Sequence, residues 1–585
     1  MLALRNHIDK LNAESQAKLN QLLLKEFSWK LGIKYEEAQL NSKKTKKRDV
    51  TIADIDALEP FHWGYHFDKV FERGGFDAII ANPPWEIFKP QAKEFFAHHS
   101  NLVTKNKMDI KTFEKEQKKL LQNPEIAAAW LAYKNRFPYV SSYYRSAEDY
   151  RNQISVVNGR KQGTDINLYK LFLERCFHLL RDSGECGIVI PSGVYTDLGT
   201  KQLREMLFSQ TEVTGLFCFE NRKSIFEGVD SRFKFVVLSF EKGGKTQAFP
   251  TRFMRHEVKE LQDFPNSDDI ELDVDLIRRL SPDSLSIMEF KQTIDVGIAE
   301  KMTRFPLLGE QIEGKWNLKL TRELDPTNKK YSYLLQSEFF QESFPIYEGK
   351  IIHQFDHKFA LDQVKNWLKK EDEKEFRQII LGERESDLGQ KMDYQDYRLG
   401  FRKIARNTDI RTMISTIIPA NNFCSENFQV ALSFDENGNR RIKYAEMLML
   451  CALWNSFVVD FMLRQRVSAN INFFYVYQLT IPRLQKGDQW FDEIVERAAK
   501  LICTTPEFDD LAAEVGLSSH KNGVTDEAER GKLRAELDGI IAHLYGLTES
   551  EFTHILSTFP SLPKKPNKPP SPPLKTLPTT PKSLP

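Results

Sequence analysis

From residue 165 onward, apolar positions spaced three and four apart alternate with short unbroken apolar runs, the pattern of helices crossing over between buried strands. Leu168, Leu171, Phe172, Cys176, Leu179 and Leu180 share one helical face, which Asp165 can cap and Gly184 can end. Gly187 to Ile190 then predicts a strand. Leu203, Met206 and Leu207 mark the inner face of a helix near 199–209, and Val213 to Phe219 and Phe233 to Phe240 predict two more strands. Upstream, Phe76 to Ala81 predicts a buried parallel strand. Four strands of this kind make about half of a doubly wound α/β sheet.

Elsewhere the pattern is helical. Leu11, Leu19, Leu22, Leu23, Leu24 and Leu31 are set among charges and predict one or two amphipathic helices ending near Gly32. Residues 86–164 predict a helical insertion in which Tyr139, Tyr143, Tyr144 and Tyr150 stand beside Arg145 and Arg151. Such aromatics more often form core than line DNA. Residues 447–463 are the most apolar stretch, but Asn455, Ser456 and Asp460 interrupt it, which favours a buried helix over a membrane span. Residues 488–550 predict further amphipathic helices, and the Pro, Lys, Ser and Thr after Pro560 predict an extended or disordered tail.

Composition narrows the class. The 585 residues with 41% hydrophobic content are ample for several domains with real cores. The 83 basic residues nearly cancel the 82 acidic ones, so any nucleic-acid face is local. Lys43 to Arg48 form a basic connector whose simplest role is a solvated loop. Cys176, Cys186, Cys218, Cys424, Cys451 and Cys503 form no CxxC, so neither a zinc site nor a disulfide framework is suggested, and a reducing cytoplasm is the simplest setting. The amino terminus turns polar too soon for a signal peptide.

The strand at 76–81 runs straight into Asn82-Pro83-Pro84-Trp85, where the sequence is most specific about chemistry. The exocyclic amine of a nucleobase is a poor nucleophile because its lone pair is delocalised into the ring. An asparagine side-chain carbonyl and the next backbone carbonyl can each accept one amine hydrogen, which favours a tetrahedral nitrogen with its lone pair aimed at a methyl donor. Proline stiffens the corner, and Trp85 offers a face on which an extruded base can stack for roughly 1–3 kcal/mol. A bare turn also uses Asn-Pro-Pro; the position at the carboxyl end of a buried strand, where open α/β sheets bind ligands, favours a site.

These residues, with Phe61-His62-Trp63, Phe67, Val70, Phe71, Gly74-Gly75-Phe76-Asp77, Asp165-Ile166-Asn167-Leu168-Tyr169 and Gly187 to Ser192, resemble adenine-specific DNA methyltransferases of the gamma arrangement, the large kind found in restriction-modification and phage-defence proteins. The resemblance implies a Rossmann-like catalytic domain that transfers a methyl group in line from S-adenosylmethionine to a flipped adenine. Asn82, Pro83, Pro84 and Trp85 would bind the base, and Asp165 and Asn167 would lie near the cofactor. The glycine-rich GxG loop expected ahead of Asn82 is missing: the preceding glycines are Gly32, Gly64, Gly74 and Gly75. The expectation is a carboxyl-terminal part of a longer enzyme, with the cofactor half supplied from a separate chain; the alternative is a DNA-binding specificity subunit with no activity of its own.

The carboxyl-terminal half resembles the TaqI-like specificity domain of this family at Pro345 to Lys350, His353 to His357, Arg406 to Thr412, Asn455-Ser456, Asn472 and Ile481-Pro482. It is expected to read double-stranded DNA through Arg398, Arg402, Lys403, Arg406 and Arg411, opposed only by Asp409. The expected organisation is a helical segment at 1–41, the catalytic part at 42–255, a helical linker at 256–335, a mixed α/β target-recognition domain at 336–487, helices at 488–555 and a tail at 556–585. Pro282-Asp283 and Glu289-Phe290-Lys291 are too close to furnish the two strands of a nuclease hairpin, so Ser281-Pro282-Asp283 is better taken as a helix start. His353, Asp356 and His357 lack a third ligand at useful spacing, and no metal is expected.

Overall fold

The computed structural model describes residues 2–39, 42–100, 103, 108–157, 160–161, 165–339, 341–381, 389–406, 408–435, 437–467 and 470–560. The expected tail falls on 561–585, outside them. The chain divides into two compact units, Met1–Thr303 and Arg304–Pro585.

The first unit opens with helix α1 (Leu2–Lys25), continued by a wider turn to Lys30 and stopped at Gly32, whose φ is +63°. The basic connector is a strand instead of a loop. Ser42–Asp49 pairs with Lys34–Gln39, and its charges are partly neutralised by Lys47–Glu36 at 3.0 Å and Arg48–Glu37 at 2.8 Å. The insertion contributes α2 (Pro124–Ser146), started by Asn123, whose side chain accepts the Glu125 amide. Of its aromatics Tyr139 is buried, and the half-buried Tyr143 stacks on Phe27 with 4.4 Å between ring centres.

At the centre of the unit is a six-stranded sheet of β1 (Phe76–Ala81), β2 (Leu180–Pro191), β3 (Thr211–Glu220), β4 (Lys234–Lys242), β5 (Ala248–Arg255) and β6 (Ile270–Asp273), in the order β6-β5-β3-β4-β2-β1. All four expected strands are present. Three features differ from the expectation. β1, expected to be a buried strand, lies at the edge of the sheet and has no fully buried residue. β4 runs antiparallel between β2 and β3, pairing Leu238 with Ile188 on one side and Leu216 on the other, so the sheet is mixed. β5, at the end of the expected catalytic part, and β6, inside the stretch expected to be a helical linker, extend it.

Between β1 and β2 lies α3 (Leu168–Leu179), and between β2 and β3 lies α4 (Lys201–Gln210). Leu203, Met206 and Leu207 of α4 are buried on the sheet as expected, as are Leu171, Cys176 and Leu179 of α3; Phe172 points outward, 43% exposed. Asp165 does not cap α3. Asn167 is at the cap, because Ile166 to Leu168 are held by backbone pairing to Glu86 and Phe88 and Asp165 lies beyond that lacing. Gly184 does not end the helix either. It lies inside β2, where a Cβ would sit 2.8 Å from the Phe76 carbonyl oxygen, so the close approach of β2 to the start of β1 requires glycine. Ser281 to Asp283 form a turn instead of a helix start, and the serine hydroxyls of Ser281 and Ser284 meet at 2.6 Å.

The second unit holds two four-stranded sheets. One has the order β7-β10-β8-β9, built from β7 (Leu320–Thr321), β8 (Arg398–Arg402), β9 (Ser415–Ile418) and β10 (Phe428–Ala431). The other pairs Ser343–Tyr347 with Trp367–Lys369 and Phe423–Cys424, and Trp367–Lys369 in turn with Leu335–Gln336. The apolar stretch forms two helices, α5 (Tyr444–Asn455) and α6 (Phe457–Arg464), bent by 61° at Ser456 and buried throughout most of their length. Among the described residues no single helix is long and apolar enough to cross a membrane. Carboxyl-terminal helices follow, among them α7 (Glu527–Leu544).

Candidate functional site

β1, β2 and β3 end, and β4 begins, along one edge of the sheet, and the Asn82 to Trp85 loop leaves β1 there. Pro83 is buried, Asn82 and Pro84 are exposed, and Trp85 is half-buried. The indole is fixed by its sequence-distant neighbours. Its Nε1 donates to the Val189 carbonyl of β2 at 3.2 Å, its face lies parallel to Phe233 (5.6 Å, 11°), and Phe226 meets it edge-on at 5.0 Å. Asn221 staples the loop that carries both phenylalanines: its Nδ2 donates to the Phe226 and Val229 carbonyls, and its Oδ1 accepts the Phe226 amide. The result is a rigid aromatic wall beside an exposed carboxamide.

Phe233 was legible only as a strand residue, and its place opposite Trp85 follows from the antiparallel entry of β4. Next to it, Lys234 is bound to Glu289 at 2.6 Å, and the buried Tyr195 hydroxyl donates to the same carboxylate at 2.8 Å. Burial and the neighbouring Cys218 and Glu289 raise the Tyr195 pKa far above the ordinary range, so it remains a donor.

The structure joins the second motif to the first. Phe88 donates its amide to the Ile166 carbonyl at 2.7 Å, and Leu168 to the Glu86 carbonyl at 2.9 Å, which brings Asp165 and Asn167 alongside the stretch that follows Trp85. Asp165 is exposed, 4.0 Å from Lys89, and the Asn167 side chain donates to the Asp165 carbonyl.

S-adenosylmethionine needs an apolar slot for its adenine, a carboxylate for its ribose diol and a glycine turn against which its charged end can lie. A groove of about 920 Å³ beside α3 provides apolar walls, with Phe61, Trp63, Tyr143 and Leu171 among them. Its ionisable lining is His62, Arg136, Arg175 and tyrosines, with no carboxylate. Among the described residues no GxG turn follows a strand on this side; the glycine after β2, Gly193, opens a single helical turn where a Cβ would stand 2.5 Å from Asp197 and 2.8 Å from the Tyr169 hydroxyl. The residues present do not complete a cradle for the cofactor. The sheet is open at the same place: among the described residues β1 is an edge strand paired only with β2, and Ile80 is 93% exposed.

In the second unit the five expected DNA-binding residues separate. Arg398 is fully buried on β8, paired with Glu323 at 2.7 Å, and donates to the Asn422 carbonyl. Arg411 is bound to the buried Asp460 at 2.8 Å and covers the Phe457 ring. Both cations face inward, toward the fully buried Asp460 and the half-buried Glu323 that neutralise them. Arg402 is half-buried, Lys403 half-buried and Arg406 exposed. His357 is buried against Phe508, where burial pushes its pKa down to about 3.

The match to a known family falls within the first unit. Residues 7–128 and 138–226 match the Eco57I restriction-modification methylase family. The match takes in β1, the Asn82 to Trp85 loop, α3, β2, α4 and β3. A putative type II restriction enzyme and methyltransferase of Methanocaldococcus jannaschii is 35% identical over 85 residues, which are 14% of this chain and 7% of that protein. Among solved structures, the type IIL restriction-modification enzyme MmeI in complex with DNA has a TM-score of 0.39 at 12% identity, covering 67% of this chain and 52% of that one. A nuclease-deletion mutant of the type ISP enzyme LlaGI with a DNA substrate mimic has a TM-score of 0.38 at 12% identity, covering 87% and 55%. The chain thus spans about half the length of the solved relatives and a small part of the curated one.

Proposed function

We propose that the chain carries the base-binding half of an adenine-specific DNA methyltransferase of a restriction-modification or phage-defence system. The observation that carries this reading is the Asn82 to Trp85 loop at the carboxyl edge of the sheet. An exposed carboxamide stands there beside a fixed aromatic face, on a stretch similar to restriction-modification methylases.

The chain's own residues act on the base. Asn82 Oδ1 and the Pro83 carbonyl accept the two amine hydrogens of a flipped adenine, and this withdraws the nitrogen lone pair from the ring. Trp85, anchored to Val189 and backed by Phe233, supplies the stacking face. Pro83 and Pro84 hold the carbonyl in place. The methyl donor proposed is S-adenosylmethionine, which supplies an electrophilic methyl group. Its cradle lies beyond the open edge of β1, on a separate chain or segment bearing the glycine turn. Lys403 and Arg406 contact duplex DNA.

A second reading, a specificity subunit with no activity of its own, is favoured by the incomplete cradle. Calorimetry with S-adenosylmethionine separates the two at the level of the isolated chain: micromolar binding makes it self-sufficient, and no binding makes it half a site or a specificity subunit. In cells that methylate their DNA through this chain, Asn82→Ala is expected to abolish the adenine mark seen by single-molecule sequencing while DNA binding persists. Unchanged methylation by that variant overturns the assignment.

A further inference from the structure

The segment His353 to His357 is dense in polar and aromatic groups, and neither base binding nor a metal accounts for it; among the described residues no cluster of His, Cys, Asp or Glu is arranged to hold a metal ion. His353, Gln354, Phe355 and Asp356 form one wall of a cavity of about 1000 Å³ inside the second unit, within the usual size of small-molecule sites. The connection between β8 and β9, the junction of α5 with α6, and α7 complete it.

Four guanidinium groups line this cavity on unequal terms, and Arg530 donates to the Leu501, Val524 and Phe355 carbonyls. Arg411 is bound to Asp460, and Arg534 to Glu527. Arg402 has no carboxylate within ion-pair distance among the described residues. One of its Nη atoms donates to the Ile352 carbonyl, and its Nε is buried without a hydrogen-bond partner. The other carboxylates of the wall are engaged: Asp356 accepts the Lys358 amide, Asp409 the Arg406 amide and Asp538 the Phe457 amide. A half-buried cation with an unused donor is costly unless something else supplies the anion.

The neighbours of Arg402 indicate what that anion carries. His353 is held neutral: burial first, then Arg402, with Arg534 and Arg411 adding and Asp356 opposing, push its pKa down to about 4. A neutral imidazole offers one donor and one acceptor. Phe359, 58% exposed, lies 4.8 Å from the His353 ring and presents an aromatic face. A half-buried cation in a cavity wall, a neutral imidazole and an aromatic face match a phosphate ester bearing a planar base.

We propose that this cavity is a nucleotide-binding site, with the phosphate on Arg402 and the base on the Phe359 ring beside His353. The ligand chemistry is that of a nucleoside monophosphate, either free or turned out of a DNA strand. The site is independent of the methylation assignment, since it shares no residue with the Asn82 to Trp85 loop.

The test uses the full chain, with deoxyadenosine monophosphate followed by calorimetry, and with a labelled short duplex carrying one unpaired adenosine, compared by anisotropy with the fully paired duplex. If the source is free nucleotide, the monophosphate binds. Arg402→Met then weakens it about tenfold or more, the loss of a charge-assisted hydrogen bond, and Phe359→Ala about fivefold or more, the loss of a stacked base. If the source is DNA, the monophosphate does not bind, the bulged duplex is preferred, and both variants erase the preference. Arg402 also ties down Ile352, so Phe359→Ala, at an exposed position, keeps the test decisive should Arg402→Met unfold. No binding of the monophosphate together with no preference for the bulge overturns the proposal. So does binding or preference that Phe359→Ala leaves unchanged.

Discussion

Asp538 is buried in α7, where burial pushes its pKa up to about 6, Asp460 adding to the rise and Arg411 and the Phe457 amide opposing it. Its ordinary value in an unfolded chain is about 3.9. A carboxyl with a raised folded pKa favours the fold fully below its unfolded value and loses that contribution as pH rises through the folded one. The second unit is therefore expected to lose stability between about pH 4 and pH 6. Asp538→Asn keeps an acceptor for Phe457 and removes the charge. At pH 8 the variant is expected to be more stable than the parent by about 1–2 kcal/mol, with the gain gone below about pH 4, as thermal denaturation at both values would show. A stability difference that does not change with pH would refute the assignment. Asn82 to Trp85 were legible at this scale because the chemistry is spelled by contiguous residues. Phe233 and Asn221, which complete the aromatic wall, were not, since they belong to it only through a pairing formed far along the chain. Arg398 and Arg411 looked like a surface patch because sequence spacing does not reveal that the half-buried Glu323 and the fully buried Asp460 neutralise them.

The strands of the first unit announce themselves by apolar runs, and β1 to β4 lie where those runs stand. Their directions do not, since antiparallel and parallel strands buried on both faces can carry the same composition. That is why β4 was placed in the sheet but not between β2 and β3. β5 alternates buried Phe249, Thr251 and Phe253 with half-buried Pro250, Arg252 and Met254, a weaker signal than an unbroken run. Turn chemistry is clearer where backbone geometry is extreme. Gly75 enters β1 with φ of +133°, and a Cβ would stand 2.5 Å from the Leu179 carbonyl oxygen at the end of α3. Gly75→Ala is expected to cost about 1–3 kcal/mol, lowering the denaturation midpoint of the chain, as backbone strain of this kind does. The same change at Gly228, also at positive φ but with nothing within 4 Å, is expected to be milder. Equal losses at the two positions would show that the close approach to α3 is not what Gly75 avoids.

With 83 basic and 82 acidic residues the whole molecule has almost no net pull on a polyanion, so any affinity for DNA rests on a few cations in the right place. Lys403→Glu and Arg406→Glu are expected to weaken duplex binding and to flatten its dependence on salt, by about one unit of slope for every phosphate left without its cation. Arg398→Met is expected to act differently, costing about 1–3 kcal/mol of stability by leaving the half-buried Glu323 with the Cys424 amide alone. If it altered the salt slope in a folded chain, the inward placement of Arg398 would be wrong. The uncovered side of β1 bears on life in the cell. An apolar strand with free backbone groups along one side is a surface that holdase chaperones grip and proteases follow. On the reading proposed above, in which a cofactor half covers Ile80, a copy made in excess of that half becomes an orphan, and its abundance is then set by quality control instead of by its rate of synthesis.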